Sequence, residues 1–262
     1  MRSGLHPLAS GRGREVFAAT AADVGLIVKA YEDAPALAHE ARVLELARDR
    51  GVPVPDVLAF EPGPPAVIVM TRLRGEPLTS ALGETAAAEA GAALRLVHGL
   101  PAAPPFTGGQ HRWEEFVVWW AEREAAACAR LGILTPPEAA EAAGRISAAR
   151  DLLARRPTVL IHGDLQTDHV LVESGRLCGI IDFVDAQPGD GLLDVAVLTL
   201  EDDALTAPVL RGLGVAADET TALLLDRYRL LRRLAAAAWL LERGYAAESG
   251  RHADAVRSAL GA

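Results

Sequence analysis

The chain has 262 residues, half of them hydrophobic and 23% charged, with 24 glycines and 16 prolines. That is enough for one large domain or two lobes on a shared core, and too little Gly and Pro for a collagen-like or low-complexity chain. A net charge of −9 argues against a general nucleic-acid surface, which needs a basic stripe, and the longest uncharged apolar run near the C-terminus, Leu234 to Leu241, is far too short to span a membrane.

Two cysteines, Cys128 and Cys178, and an opening segment without an apolar stretch predict a cytoplasmic protein without structural disulfides. The charge is uneven: residues 1–75 carry nine Arg/Lys and nine Asp/Glu, so 17 basic and 26 acidic residues fall in 76–262. An acidic region beside a site concentrates cationic ligands; solvated helix faces are the alternative reading. Of the 26 basic residues only Lys29 is a lysine, which suggests a position that needs a compact ammonium rather than a guanidinium fork.

Taken in chain order, Ser10 to Phe17 (SGRGREVF) reads as a turn, with Gly11 and Gly13, that leads into a strand. Its free N–H groups can approach phosphate oxygens, although it fits neither the P-loop nor the dinucleotide fingerprint, and an ordinary hairpin turn is the alternative. Val24 to Tyr31 and Ala66 to Met70 are β-type runs on either side of a helical pattern from about 36 to 50, which stops at Gly51 with Pro53 beyond. On that helix Leu37, Glu40, Ala41 and Leu44 share one face by i, i+3, i+4, i+7 spacing. Glu40 therefore sits among apolar neighbours, and Lys29 on the preceding strand is the partner that would offset its burial.

The organisation changes near Gly75, giving expected units 1–75 and 76–262. Beyond it the patterns read as helices over about 83–98, 113–130, 137–154, 191–200, 204–212, 218–243 and 246–260, with a Pro- and Gly-rich loop over 101–110. They surround one β-rich island at 158–183, in which two apolar strands each run into a carboxylate: Ile161-His162-Gly163-Asp164, then Ile180-Ile181-Asp182-Phe183. Carboxylates held on rigid supports suit metal-assisted phosphate chemistry, one holding Mg²⁺ and the other orienting an attacking hydroxyl; two turn-capping aspartates are the alternative.

His162-Gly163-Asp164, Ile181-Asp182-Phe183 and Gly189-Asp190-Gly191-Leu192-Leu193-Asp194, together with the glycine turn, Lys29, Glu40 and the hinge-like stretch Val69 to Leu78, resemble the aminoglycoside phosphotransferase and choline kinase family of small-molecule kinases. The resemblance covers nearly the whole chain. It implies an α+β, bilobal protein-kinase-like fold, with a small β-rich N-lobe holding one helix and a large, mostly helical C-lobe. It further implies ATP, with GTP as an alternative, bound with Mg²⁺ between the lobes. Carried onto this chain, Lys29 contacts the nucleotide phosphates and is held by Glu40; Asp164 orients the substrate hydroxyl; Asp182 ligates Mg²⁺; His162 shapes the loop; Asp194 anchors it. Met70, the Thr71 carbonyl and the Leu73 N–H border the adenine. Where the family usually has Asn, this chain has His169, a nitrogen donor in a place where Mg²⁺ prefers oxygen.

The implied activity is transfer of the γ-phosphoryl group to a hydroxyl of a small, cationic molecule such as an aminoglycoside or amino sugar. Asp185, the Glu201-Asp202-Asp203 run, Glu114 and Glu115 are the candidate acidic contacts, with Trp113, Trp119 or Trp120 to cover a ring or ammonium. Two other readings stay open: a metal-dependent phosphohydrolase built from His162, Asp164, Asp168, His169 and Asp182, and a catalytically weak nucleotide-binding regulator. Oligomeric state is left open.

Overall fold

The structure, a computed structural model, describes residues 4–11, 13–102 and 112–261. The loop expected over 101–110 falls, from 103 on, outside the described residues, as does Arg12 of the glycine turn. Five strands, β1 (His6–Gly11), β2 (Arg14–Ala21), β3 (Val24–Tyr31), β4 (Val57–Glu61) and β5 (Ala66–Thr71), form one antiparallel sheet in the order β1-β2-β3-β5-β4. The glycine turn joins β1 to β2, with Gly11 opposite Arg14 and Gly13 at φ +67°, a conformation that glycine adopts without steric cost. Helix α1 (Ala34–Asp49) follows β3, capped by Asp33, whose side chain accepts from the Ala36 amide. It buries Leu37, Glu40, Ala41 and Leu44, the face its spacing predicts. Strands β1 and β4 escape the sequence reading because their side chains are almost all exposed or half-buried, so no alternation marks them.

Past Gly75 a short strand β6 (Glu76–Pro77) precedes α2 (Glu84–His98), α3 (Trp113–Arg130), α4 (Pro136–Ser147) and α5 (Arg150–Leu153). The single helix expected over 137–154 is thus two, interrupted at Ala148 and Ala149. Its start is fixed by a capping box between Thr135 and Glu138, which satisfies two otherwise orphaned N–H groups. The β-rich island resolves into β7 (Val159–Ile161), β8 (Val170–Glu173), β9 (Arg176–Ile180) and β10 (Gln187–Gly189). Strands β6, β8 and β9 form one small sheet, and β7 pairs with β10 in another.

The remaining helices are α6 (Leu192–Leu198), α7 (Thr206–Leu213), α8 (Glu219–Glu242) and α9 (Ala246–Leu260). Helix α6 is buried along its whole length. Helices α2 and α7 lie backbone against backbone: a Cβ on Gly91 would stand 2.1 Å from the Val209 carbonyl oxygen, and one on Gly212 1.8 Å from that of Ala88, so both crossing points admit only glycine. Among the described residues no helix is long and apolar enough to cross a membrane.

Candidate active site

Strand β3 ends in alternating burial, and Lys29 lies 7% exposed on its inner side. The ammonium finds two carboxylates. Its Nζ donates to Glu40 Oε1 on α1 at 2.6 Å and to Asp182 Oδ1, just past β9, also at 2.6 Å. The ion pair expected of Lys29 and Glu40 is therefore formed, with Asp182 as a second partner. Burial disfavours the ammonium, but the two carboxylates outweigh it and hold Lys29 above the ordinary lysine range. Burial likewise opposes ionisation of Asp182, and here the charge of Lys29 outweighs it, holding the carboxyl below its usual range. Asp182 has φ +67° and ψ +60°, a left-handed conformation that costs a non-glycine residue about 1–3 kcal/mol and persists where its surroundings impose it.

The loop after β7 is held from behind by Asp194, fully buried on α6. Its two oxygens accept from the amides of His162 and Gly163, each at 2.9 Å, and from His98 Nε2 at 2.9 Å. Burial raises the cost of its charge, yet the hydrogen bonds from His98 and the His162 amide hold it below the ordinary range. His162 is wholly buried, its ring 4.6 Å from that of Phe183. Its Nε2 meets the Ile181 carbonyl at 2.9 Å; a carbonyl only accepts, so this nitrogen carries the proton. Burial keeps the imidazole below its usual range, that is, neutral. Gly163 has φ +87°, and a Cβ there would come within 2.3 Å of the Asp185 carbonyl oxygen. The turn that presents Asp164 thus requires glycine.

Asp164 itself is partly exposed, and both of its oxygens are engaged. Arg232 Nη2 on α8 donates to Oδ1 at 2.5 Å, and Gln166 Nε2 donates to Oδ2 at 3.0 Å. The backbone carbonyl of Asp164 accepts from His169 Nδ1 at 2.8 Å, which leaves Nε2 as the nitrogen free to face Asp182. That Nε2 stands 3.5 Å from Asp182 Oδ2.

The structure brings Lys29, Glu40, His162, Asp164, His169, Asp182 and Asp194 together. Asp185 joins them: burial and the neighbouring charges of Asp164 and Asp182 push its carboxyl up. The other acidic candidates are taken up elsewhere. Glu201 pairs with Arg233 at 2.9 Å, Asp202 accepts from the Ser80 amide at 2.8 Å, and Asp203 pairs with Arg229 at 2.9 Å. Glu114 and Glu115 pair with Arg112. Trp113 is committed to packing: its indole donates to Tyr228 Oη at 2.7 Å, Tyr228 donates to Asp190, and the ring edge lies against Gly189. Trp119 is half exposed under Arg123, and Trp120 lies beneath Arg232.

On the nucleotide side, buried Met70 pairs with Ile27 across β3. Thr71 Oγ1 accepts from the Asp56 amide at 2.9 Å. A cleft lined by Gly25, Arg72, Leu73, Arg74 and Gly75 opens beside them. Sequence reasoning missed Arg232 and His98, and it considered Gln166 as an oxygen donor to the metal, whereas its amide nitrogen donates to Asp164. Only an arginine-rich face on an otherwise apolar α8 hinted at the first.

Among the described residues no three His, Cys, Asp or Glu side chains converge as a metal cage. The donor set fits Mg²⁺ all the same, because that ion is commonly held by one or two carboxylates with phosphate oxygens and water completing the shell. Asp182, one-third exposed and with Oδ2 unclaimed by Lys29, supplies such a carboxylate. The His169 nitrogen suits a hard ion poorly. The phosphohydrolase reading is not assembled, since His162 is buried and its Nε2 is spent on Ile181.

The profile of the phosphotransferase enzyme family matches residues 4–231. Among solved structures, the fold is similar to a thermostable mutant of aminoglycoside phosphotransferase APH(4)-Ia in ternary complex with ADP and hygromycin B. The TM-score is 0.74, with 20% identity over 98% of this chain and 94% of that one. It is also similar to the GDP and kanamycin complex of APH(2")-IIia, with TM-score 0.79 and 17% identity over 98% and 94%. A third likeness is to APH(3'')-Id from Streptomyces rimosus, with TM-score 0.65 and 22% identity over 88% and 93%. At these identities the likeness establishes the bilobal kinase-like fold. A homoserine kinase of Neisseria meningitidis serogroup B is 39% identical over 92 residues, 34% of this chain and 28% of that enzyme.

Proposed function

The chain belongs to the phosphotransferase enzyme family, matched over residues 4–231, and from that premise we propose that it moves the γ-phosphoryl group of ATP to a hydroxyl of a small molecule. The observation that carries this reading is the single lysine fixed between Glu40 and Asp182 at 2.6 Å each, next to the glycine-turned loop of Asp164. Phosphoryl transfer needs positioning and charge neutralisation more than a strong base, and this cluster offers both.

In this reading residues 1–75 hold the nucleotide and 76–262 the acceptor. Lys29, kept charged by its neighbours, lies against the phosphates, with the turn at Gly11 and Gly13 over them. Met70, the Thr71 carbonyl and the Leu73 N–H border the base; GTP is the alternative donor, since one structural neighbour holds GDP. Asp182 holds Mg²⁺, which when bound neutralises phosphate charge. The acceptor hydroxyl replaces the Gln166 amide at Asp164 Oδ2. Its oxygen forms a bond to the γ-phosphorus, the bond from that phosphorus to the bridging oxygen breaks, ADP leaves, and the hydroxyl proton passes to Asp164. His162 and Asp194 touch neither reactant and act by holding the loop.

Two acceptor classes come from the relatives: a cationic sugar, as in the hygromycin B and kanamycin complexes, and a hydroxy amino acid, as in the homoserine kinase. The test is mass spectrometry of products formed with ATP and Mg²⁺. A singly phosphorylated acceptor is expected. With Asp164→Ala, turnover should fall about 10²–10⁴-fold while nucleotide still raises the melting temperature. Full turnover in that variant would exclude Asp164 from the proposed role.

A further inference from the structure

Among the described residues, Arg232 is the cation that pairs with Asp164. Its neighbours on α8 are committed: Arg229 donates to Thr199 and Thr206 and pairs with Asp203, and Arg233 holds Glu201 and the Leu200 carbonyl. Arg232 instead reaches Asp164 Oδ1 at 2.5 Å, its guanidinium 5.9 Å from the centre of the Trp120 ring; its Nε, like that of Arg229, is buried with no hydrogen-bond partner. The acidic groups first considered as ammonium contacts are paired with arginines or backbone, Asp185 excepted. An ammonium group brought to Asp164 would meet a guanidinium already there. A carboxylate would meet the guanidinium N–H donors that Asp164 leaves unused.

Resting on the phosphotransferase reading, we propose that Arg232 is the acceptor's binding residue and that the acceptor is a hydroxy-carboxylic or hydroxy-amino acid. Its carboxylate takes the guanidinium as its hydroxyl takes Asp164. Because Arg232 and Asp164 are themselves hydrogen-bonded, hydroxyl and carboxylate must lie on the order of 5 Å apart on the acceptor, given ordinary hydrogen-bond lengths. A short carbon chain between the two groups meets that spacing; a large polycationic sugar offers no anion to it.

The experiment compares phosphorylation of L-homoserine and 4-hydroxybutyrate with that of their amides, L-homoserinamide, which keeps its ammonium, and the neutral 4-hydroxybutyramide, and of kanamycin and hygromycin B. The wild-type enzyme is expected to favour a carboxylate over its amide by on the order of 100-fold in kcat/KM, because a charged site rejects an analogue that leaves it unpaired. In Arg232→Gln that preference should collapse, with KM for the carboxylate raised about tenfold or more and KM for ATP unchanged; Arg232→Lys should retain part of it. Three results would each overturn the proposal: better use of a cationic acceptor, an Arg232→Gln enzyme that is slower on acid and amide alike with the preference intact, or no carboxylate product although nucleotide binds. If Arg232→Gln does not fold, the wild-type preference and the lysine variant decide. Failure of ATP with Mg²⁺ to raise the melting temperature would overturn the phosphotransferase reading itself.

Discussion

Replacing Lys29 by methionine removes a charge from between two carboxylates that differ in their access to water. Asp182 has a third of its side chain exposed and can rehydrate, whereas Glu40 has none exposed. Glu40 is left buried and unpaired, and it will take up a proton in the folded state. Relative to an unfolded glutamate near pKa 4.3, holding that proton at pH 7 costs about 1.36 kcal/mol for each of roughly 2.7 pH units, or about 3.7 kcal/mol. This agrees with the ~3–5 kcal/mol found when one member of a buried pair is removed. For a chain of this size it corresponds to a fall in melting temperature of about 6–10 °C. The sign of the pH dependence follows. The folded carboxyl has the raised pKa, so the deficit is largest at high pH and shrinks to about 1 kcal/mol at pH 5. A second variant, Lys29→Met/Glu40→Leu, should recover most of the stability while leaving nucleotide binding lost. Thermal melts of both variants at pH 5 and pH 7 test this. A loss under about 2 °C at pH 7, a deficit that does not shrink on acidification, or a double variant no better than the single would refute the reasoning.

Asp182→Ala should abolish the Mg²⁺-dependent rise in melting temperature with ATP, and a persistent rise would remove Asp182 as the proposed metal residue. His169→Asn exchanges a nitrogen donor for an oxygen, and a titration of activity against Mg²⁺ should show tighter apparent binding; an unchanged curve would mean that His169 lies outside the metal's reach. Gly163→Ala forces a side chain into φ +87° and into the Asp185 carbonyl, so urea unfolding should register a loss of at least about 2 kcal/mol, and a neutral result would contradict the described turn.

The Lys29–Glu40 pair was legible because its cause is local: one lysine on an apolar strand, and a carboxylate on the inward face of the next helix. The two aspartates were legible for the same reason, each ending an apolar run. The partners of the other acids were not. Glu201 meets Arg233 and Asp164 meets Arg232, 32 and 68 residues apart, and no periodicity carries information across such distances. Acidic excess therefore read as attraction for a cationic ligand, while in the structure much of it is held by the protein's own arginines. The break between α4 and α5 was hidden by alanines, strong helix formers on both sides of it.

A chain with 25 arginines and one lysine, that lysine in the middle strand of a sheet, carries a built-in reporter. A protease that cleaves only after lysine has a single target within these residues, and it lies on the strand paired between β2 and β5, with its side chain buried. Cutting requires the sheet to part. The cleavage rate therefore measures how often this half of the molecule opens, free of signal from the helices. Nucleotide that lies against Lys29 should slow it, and amine-directed reagents should follow the same dependence.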